Sequence, residues 1–218
     1  MIHLVLWLGL LGPGLLRSAQ DTLPRGVDVA QRASATYQQL SSFQADFQQV
    51  IDDSMLGTLR SRGRLIQAGT SKLAMRFTEP AGEAIVLDGQ RVWVYTPSTT
   101  PGQVLRLPIP SGPTFGPNVL AWLLDRPAER YDIGYLRSET LEGLTLDVIS
   151  LTPRDPDLPF TRAVLWIDRA SALPRRVEIK ERTGADRTLS LTRVRTNVPV
   201  TDATFRFEVP PGVRIVDQ

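Results

Sequence analysis

The chain's only histidine, His3, sits in an apolar leading run, and there is no cysteine. Thiolate nucleophiles, thiolate metal sites, disulfides and a lipid-modified N-terminal cysteine are thereby excluded. No serine lies in a Gly-x-Ser-x-Gly elbow, and neither a Walker-type phosphate loop nor a dinucleotide-binding glycine fingerprint occurs. Carboxylate pairs remain, because two acids flanking a bond suffice for glycoside hydrolysis. The nearest candidates are Asp52-Asp53 and Asp155-x-Asp157. The first pair precedes Ser54 and reads as the opening of a turn; the second flanks Pro156 in a loop. Calcium would want more oxygen ligands at alternate positions than either offers. The sequence therefore assigns no catalytic residue, no metal site and no cofactor, and it points away from an enzyme.

Apolar side chains are more informative. Phe43, Phe47, Leu73, Met75, Phe77, Trp93, Trp122 and Trp166 each suit an ordinary core. In a closed sheet with one concave face, however, core and ligand pocket are the same surface. What separates them is whether the space is filled.

These residues must be positioned by a helix and a run of strands. Ala30, Ala33, Tyr37 and Leu40 recur at three- and four-residue spacing, which predicts a helix over 27–40. Ser41-Ser42 breaks that period, and Phe43, Ala45 and Phe47 then alternate with polar residues as in a half-buried strand. Leu73, Met75 and Phe77 alternate likewise. The run 84–87 meets 92–95 across Asp88-Gly89, a dipeptide suited to a tight hairpin. Further strands are predicted over 144–151, 163–167, 177–179, 189–191 and 205–209. Strands at this density argue for one large antiparallel sheet with a wet face. Six prolines and three glycines between Thr96 and Asn118 leave room only for a short strand over 103–107. An apolar helical turn over 118–124 follows. Two helices with apolar faces would close the mouth of a curved sheet and leave an interior for a ligand.

The 218 residues and the 42% hydrophobic fraction suit a single globular domain. A formal charge of +2 gives no nucleic-acid surface. The high isoelectric point of 9.3 reflects arginine, since Lys72 and Lys180 are the only lysines. Residues 2–16 form an apolar run too short and broken to span a membrane, followed by small residues at Ser18 and Ala19. The expectation is a signal peptide over 1–19, removed after Ala19 on export to the periplasm. One domain over 20–218 then remains, without a histidine.

Several of these features fall in an order that resembles a known family. Ser42-Phe43-x-Ala45-x-Phe47-x-Gln49 comes first, then Gly63-x-Leu65 and Met75-Arg76-Phe77-Thr78-Glu79-Pro80. After them come Val86-Leu87-Asp88-Gly89-Gln90-Arg91-Val92-Trp93-Val94-Tyr95-x-Pro97 and Gln103-Val104. The end carries Asp202-Ala203-Thr204-Phe205-x-Phe207-x-Val209-Pro210-Pro211-Gly212-Val213. Over about residues 27–216 the chain resembles the outer-membrane lipoprotein carrier proteins of the LolA type. The resemblance implies a mainly β fold with a helical lid (α+β), an incomplete antiparallel β-barrel enclosing an apolar cavity covered by helices. It implies a non-enzymatic periplasmic chaperone, expected as a monomer, whose cargo is acylated lipoproteins. Such a carrier takes them from an inner-membrane lipoprotein-releasing ABC complex to an outer-membrane lipoprotein acceptor, with no cofactor and no nucleic acid. The same fold suits a carrier of glycolipid or other free lipid, or a module that senses envelope lipids. An outer-membrane acceptor would want an anchoring cysteine.

On this reading the cavity is lined by Phe43 and Phe47, by Leu73, Met75 and Phe77, by Trp93 and Tyr95, and by Trp166. Trp93 and Tyr95 share their strand face with Arg91. Tyr37 and Leu40, with Ala33, form one lid surface; Val119, Leu120, Trp122 and Leu123 form the other. The 96–118 segment is either a flap, a partner contact or a plain surface loop. The family pattern has a lid-latching arginine just before the strand 73–77, and Gly69 stands there in this chain. Arg62, Arg64 and Arg76 are the nearest arginines, and the latch role is carried onto none of them. Each methylene kept from water is worth about 0.8 kcal/mol, so long acyl chains leave a bilayer only into comparable apolar area. A weakly held lid keeps the net affinity low enough for delivery.

Overall fold

The computed structural model describes residues 25–55, 57–69, 71–109 and 118–218. The expected signal peptide and residues 110–117 of the proline-rich segment lie outside them. The first element is helix α1 (Gly26–Gln38), whose Val29, Ala30, Ala33 and Tyr37 are buried at helical spacing. Gly26 lets the helix start against the sheet. A Cβ there would stand 2.7 Å from the backbone of Gly134 and Tyr135.

Six strands follow: β1 (Phe43–Asp53), β2 (Gly57–Ala68), β3 (Lys72–Glu79), β4 (Ala81–Asp88), β5 (Arg91–Tyr95) and β6 (Gln103–Pro108). Helices α2 (Val119–Leu124) and α3 (Pro127–Arg130) interrupt the meander. It resumes with β7 (Tyr131–Leu141), β8 (Leu144–Pro153), β9 (Phe160–Asp168), β10 (Pro174–Glu181), β11 (Asp186–Thr196) and β12 (Arg214–Asp217). The strands form one twelve-stranded sheet in the order β12-β6-β5-β4-β3-β2-β1-β11-β10-β9-β8-β7. Neighbours are antiparallel except β12, which runs parallel to β6. The first and last strands of that order do not pair, so the sheet is open. This is the expected incomplete, mainly β architecture with few helices.

Inward side chains of β1–β5 and β7–β11 join α1 and α2 in one hydrophobic cluster. The sheet therefore curls around the two helices. Period-two alternation sorts each strand: Leu73, Met75, Leu87 and Val92 face the helices, whereas Ala74, Val86 and Val104 are buried outside that cluster. A bulge between Tyr135 and Arg137 resets β7, so that Tyr135 faces Ile149 and Arg137 faces Val148.

Three expectations change. Residues 205–209 are not a strand. Asp202–Phe205 is a 3-10 turn, and the last strand is β12. The segment crosses the outer face of β3–β5, where Phe205 is buried and Phe207 stacks on Trp93. Its alternation records a chain lying flat on the sheet, and Pro210-Pro211 could not have donated to a ladder. The β4–β5 hairpin does turn on two residues, but they are Gly89-Gln90 rather than Asp88-Gly89, with Gly89 at φ 97°. Leu87 pairs with Val92, and Asp88 Oδ1 accepts the N–H groups of Gln90 and Arg91 at 2.8 and 2.7 Å. Finally, β2, β7 and β12 carry too many polar or exposed residues for their alternation to have marked them.

Candidate functional site

Helix α2 spans only six residues, so most of its backbone polar groups have no partner within the helix. The surroundings supply them. Asn118 Oδ1 accepts the Ala121 N–H at 3.3 Å. At the other end, the buried Ser34 hydroxyl of α1 donates to the Leu124 carbonyl at 2.6 Å. Arg130 Nη1 donates to the Trp122 carbonyl at 2.7 Å, and its guanidinium lies 4.5 Å from the centre of the Trp122 ring. Trp122 in turn meets Phe160 edge-on at 5.3 Å. Tyr131 lies beside them, and burial pushes its hydroxyl pKa up to about 12. The helix is thus pinned to α1 and to the sheet at its C-terminal end.

Under the other end lies a pocket of about 70 Å³. Leu65, Met75, Phe77 and Ile85 line it from the sheet, and Val119 and Leu120 from α2. Leu189 and Arg187 of β11 and Gln49 of β1 complete it, with Asn118. Most of the wall is apolar, and one end is polar. Arg187 Nη2 lies 2.8 Å from a Glu181 carboxylate oxygen, and Gln49 donates to the Ser61 hydroxyl at 3.4 Å. A volume of 70 Å³ holds about five waters at most. Small-molecule sites start near 300 Å³. As it stands, this pocket is therefore too small for such a ligand.

Eleven of the fourteen predicted site residues belong to the interior cluster: Tyr37, Leu40, Phe43, Phe47, Leu73, Met75, Phe77, Val119, Leu120, Trp122 and Leu123. Phe47 and Phe77 meet edge-on at 5.1 Å, and Tyr37 lies 5.7 Å from Phe43. Met75, Phe77, Val119 and Leu120 line the pocket itself. Trp93, Tyr95 and Trp166 do not face the interior. Val92 and Val94 take the inner side of β5, so Trp93 and Tyr95 point outward onto Phe207, with ring centres 5.6 and 5.7 Å away. Trp166 packs with Leu146 and Val148 on the outer face and donates to Glu139 at 2.6 Å. Alternation cannot say which side of a strand is inside, and covered aromatics on the outer face mimic core.

Gly69 has a left-handed backbone, φ 58°, in the turn between β2 and β3, a conformation that favours glycine over arginine. Its carbonyl accepts from Gln67 at 2.7 Å, and Gln67 accepts from the buried Tyr37 hydroxyl. Burial drives that hydroxyl well above the usual tyrosine range. None of the nearby arginines reaches the helices: Arg62 pairs with Glu79 at 2.6 Å and Arg76 donates to the Arg206 carbonyl at 3.2 Å. Arg64 is exposed and pairs across the ladder with Arg76.

The fixed side of α1 is electrostatic. Asp147, almost fully buried, meets Arg169 at 2.5 Å and Arg32 of α1 at 3.5 Å, and accepts from Tyr135 at 3.1 Å. Burial pushes its carboxyl up. Hydrogen bonds from Arg169 and Tyr135 and the two cationic charges outweigh that and hold it below the usual carboxylate range.

Sequence reasoning missed the pocket residues Gln49, Leu65, Ile85, Asn118, Arg187 and Leu189. The shared face of Arg187, Leu189 and Leu191 was a usable signal; nothing in the sequence pointed to Ser34 or Arg130. The acid pairs serve turns: Asp52 accepts from Thr58, Asp53 from the Met55 N–H, and Asp155 from the Asp157 N–H. Among the described residues no group of three His, Asp or Glu side chains is placed to hold a metal. No described helix is long and apolar enough to cross a membrane.

Residues 38–208 match the family described as outer membrane lipoprotein carrier protein LolA. An outer-membrane lipoprotein carrier protein of Chromohalobacter salexigens is 24% identical over 189 residues, covering 86% of both chains. One from Aeromonas salmonicida is 29% identical over 194 residues, covering 87% of this chain and 90% of its own. Among solved structures, an uncharacterized conserved protein of Thermus thermophilus shares the fold, with a TM-score of 0.57 at 15% identity. That similarity covers 88% of this chain and 98% of the other.

Proposed function

The chain belongs to the outer membrane lipoprotein carrier (LolA) family, and from that premise we propose that it is a non-enzymatic periplasmic carrier of lipoproteins. It holds their acyl chains between the inner face of the sheet and α2, and passes them from the inner to the outer membrane. The observation that carries this reading is the apolar pocket under the N-terminal end of a six-residue helix whose polar attachments to Ser34 and Arg130 sit at its other end. An acyl chain does not fit in 70 Å³, so loading requires α2 to lift and the side chains beneath it to part. The closed form buries its own apolar surface again when the cargo leaves. That recovery offsets part of the roughly 0.8 kcal/mol per methylene gained on binding, and keeps release to an outer-membrane acceptor downhill.

The mature protein, added to inner-membrane vesicles containing an active lipoprotein-releasing ABC complex, is expected to bring a triacylated lipoprotein into solution. Failure of a folded protein to do so would sink the lipoprotein reading. Mass spectrometry of lipids that copurify from the producing cell tests the cargo directly, with glycolipid or free lipid alone as the contrary result.

A further inference from the structure

The strands that wall the pocket also have an outer face. Phe47, Gly63 and Phe77 are in register across β1, β2 and β3, and the two aromatic rings meet in the interior. Period two sends the residues on either side of Gly63 outward. Arg60, Arg62 and Arg64 therefore stand in a row on the outer face of β2, all exposed. Across the next ladder Arg64 is directly opposite Arg76, also exposed. Like charges placed so destabilise a sheet.

The acids of this face are engaged elsewhere or by one member of the row. Asp46, beside Arg64 on β1, is paired with Arg193, and Glu79 with Arg62 at 2.6 Å. Arg76 donates to a neutral group, the Arg206 carbonyl. Among the described residues, the side chains of Arg60 and Arg64 form no hydrogen bond or ion pair. At the end of the same hairpin Met55 is 92% exposed and Leu59 50%. An apolar tip beside a cationic row suits a segment that rests on a membrane surface. A guanidinium takes phosphate oxygens two at a time, and a row along a strand faces a plane of phosphates rather than one anion.

We propose that the outer face of β2 and β3 docks on the surface of an anionic bilayer. Arg60, Arg64 and Arg76 meet lipid phosphates, and Met55 reaches the acyl boundary. The pocket lies on the other side of the same strands, so surface binding and cargo binding are separable.

The test sediments the mature protein with vesicles of phosphatidylcholine alone, or of phosphatidylcholine and phosphatidylglycerol in equal parts. Binding is expected with the second kind alone, weakening as salt is raised. Each arginine near such a surface is worth about fivefold, so Arg60→Gln combined with Arg64→Gln is expected to cost about thirtyfold. Arg162→Gln, on β9 four strands from β2, removes an exposed charge elsewhere and is expected to change little. Met55→Ser is expected to cost about tenfold, from one apolar side chain left in water. A melting curve checks that each variant is folded; where the double variant melts early, Arg64→Gln alone, with its fivefold loss, decides. Equal binding to both kinds of vesicle, binding to neither, no loss in the arginine variants, or an equal loss per charge from Arg162→Gln overturns the proposal. Unchanged binding by Met55→Ser overturns the part assigned to the tip. Binding to polyglutamate but not to anionic vesicles overturns the membrane and makes this face a dock for an acidic protein.

Discussion

Ser34→Ala isolates the part of the structure that the proposed function requires to move. Its hydroxyl donates to the carbonyl of Leu124 across 2.6 Å, and both residues are buried. Without the hydroxyl, that carbonyl stays desolvated and loses its α1 donor as long as α2 is closed, at a cost of about 1–3 kcal/mol. Once α2 lifts, water reaches the carbonyl, and the penalty vanishes. The substitution therefore raises the closed form relative to the open one. Apparent affinity equals intrinsic affinity scaled by the fraction that is competent to bind. A shift of about 1.4 kcal/mol thus tightens binding of an acyl probe roughly tenfold. Thermal unfolding is expected to fall in parallel, by about 2–4 °C per kcal/mol for a chain of this size. Fluorescence titration with an acyl probe, with a melting curve on the same sample, reads both. A variant that melts lower yet binds no better, or binds worse, refutes the reasoning. The α1–α2 bond would then persist in the loaded form, and another element would have to open.

Met75→Trp overfills the pocket, which is expected to cost about 1–3 kcal/mol of stability and about tenfold or more in probe affinity; titration that shows undiminished binding places the acyl chain elsewhere. Phe207→Ala removes the ring stacked on Trp93 and tilted against Tyr95, with about 0.5–1.5 kcal/mol lost from each aromatic pair besides its buried area. Melting should drop while probe affinity holds, because these rings lie on the outer face; a matching loss of affinity would return Trp93 and Tyr95 to the binding surface. For acid, the sign follows from the lowered carboxyl of Asp147. Its contribution is fully present above the ordinary aspartate value near 3.9 and is lost as pH falls toward the lower folded value. An acid titration followed by near-ultraviolet circular dichroism should show this loss, and Asp147→Asn should be less stable at neutral pH and flatter in that range. An unchanged acid profile would show that Arg32 and Arg169 do not hold α1 through this carboxylate.

The strands with clean alternation were legible because burial on one face forces it: Phe43 to Phe47 and Leu73 to Phe77 land on the interior as read. The strands that escaped notice, β2 and β7, carry Arg60, Arg62 and Arg64 or Arg137 and Glu139 where a covered strand would carry apolar residues. Their pairing is dictated by the neighbours they complete. The same limit explains Trp93 and Tyr95. Period two sorts residues into two sets without saying which set faces in, and the answer depended on Phe207, more than a hundred residues away. The helical lid was readable from Ala33, Tyr37 and the 118–124 run. Its attachments were not, because Ser34 and Arg130 act chiefly through hydrogen bonds to backbone carbonyls, which leave no periodic trace.

Because β12 and β7 end the sheet without meeting, no closed ring of backbone hydrogen bonds sets the girth of the molecule. In a sealed barrel, a wider bore means another strand or another shear. Here the two margins can part like the cuffs of an unbuttoned sleeve, with every ladder intact and only side-chain contacts exchanged. On the carrier reading proposed above, capacity would then be elastic, with chains of different length and number accommodated by how far the margins separate. The barrier to loading would be set by repacking around α2 rather than by unzipping a strand.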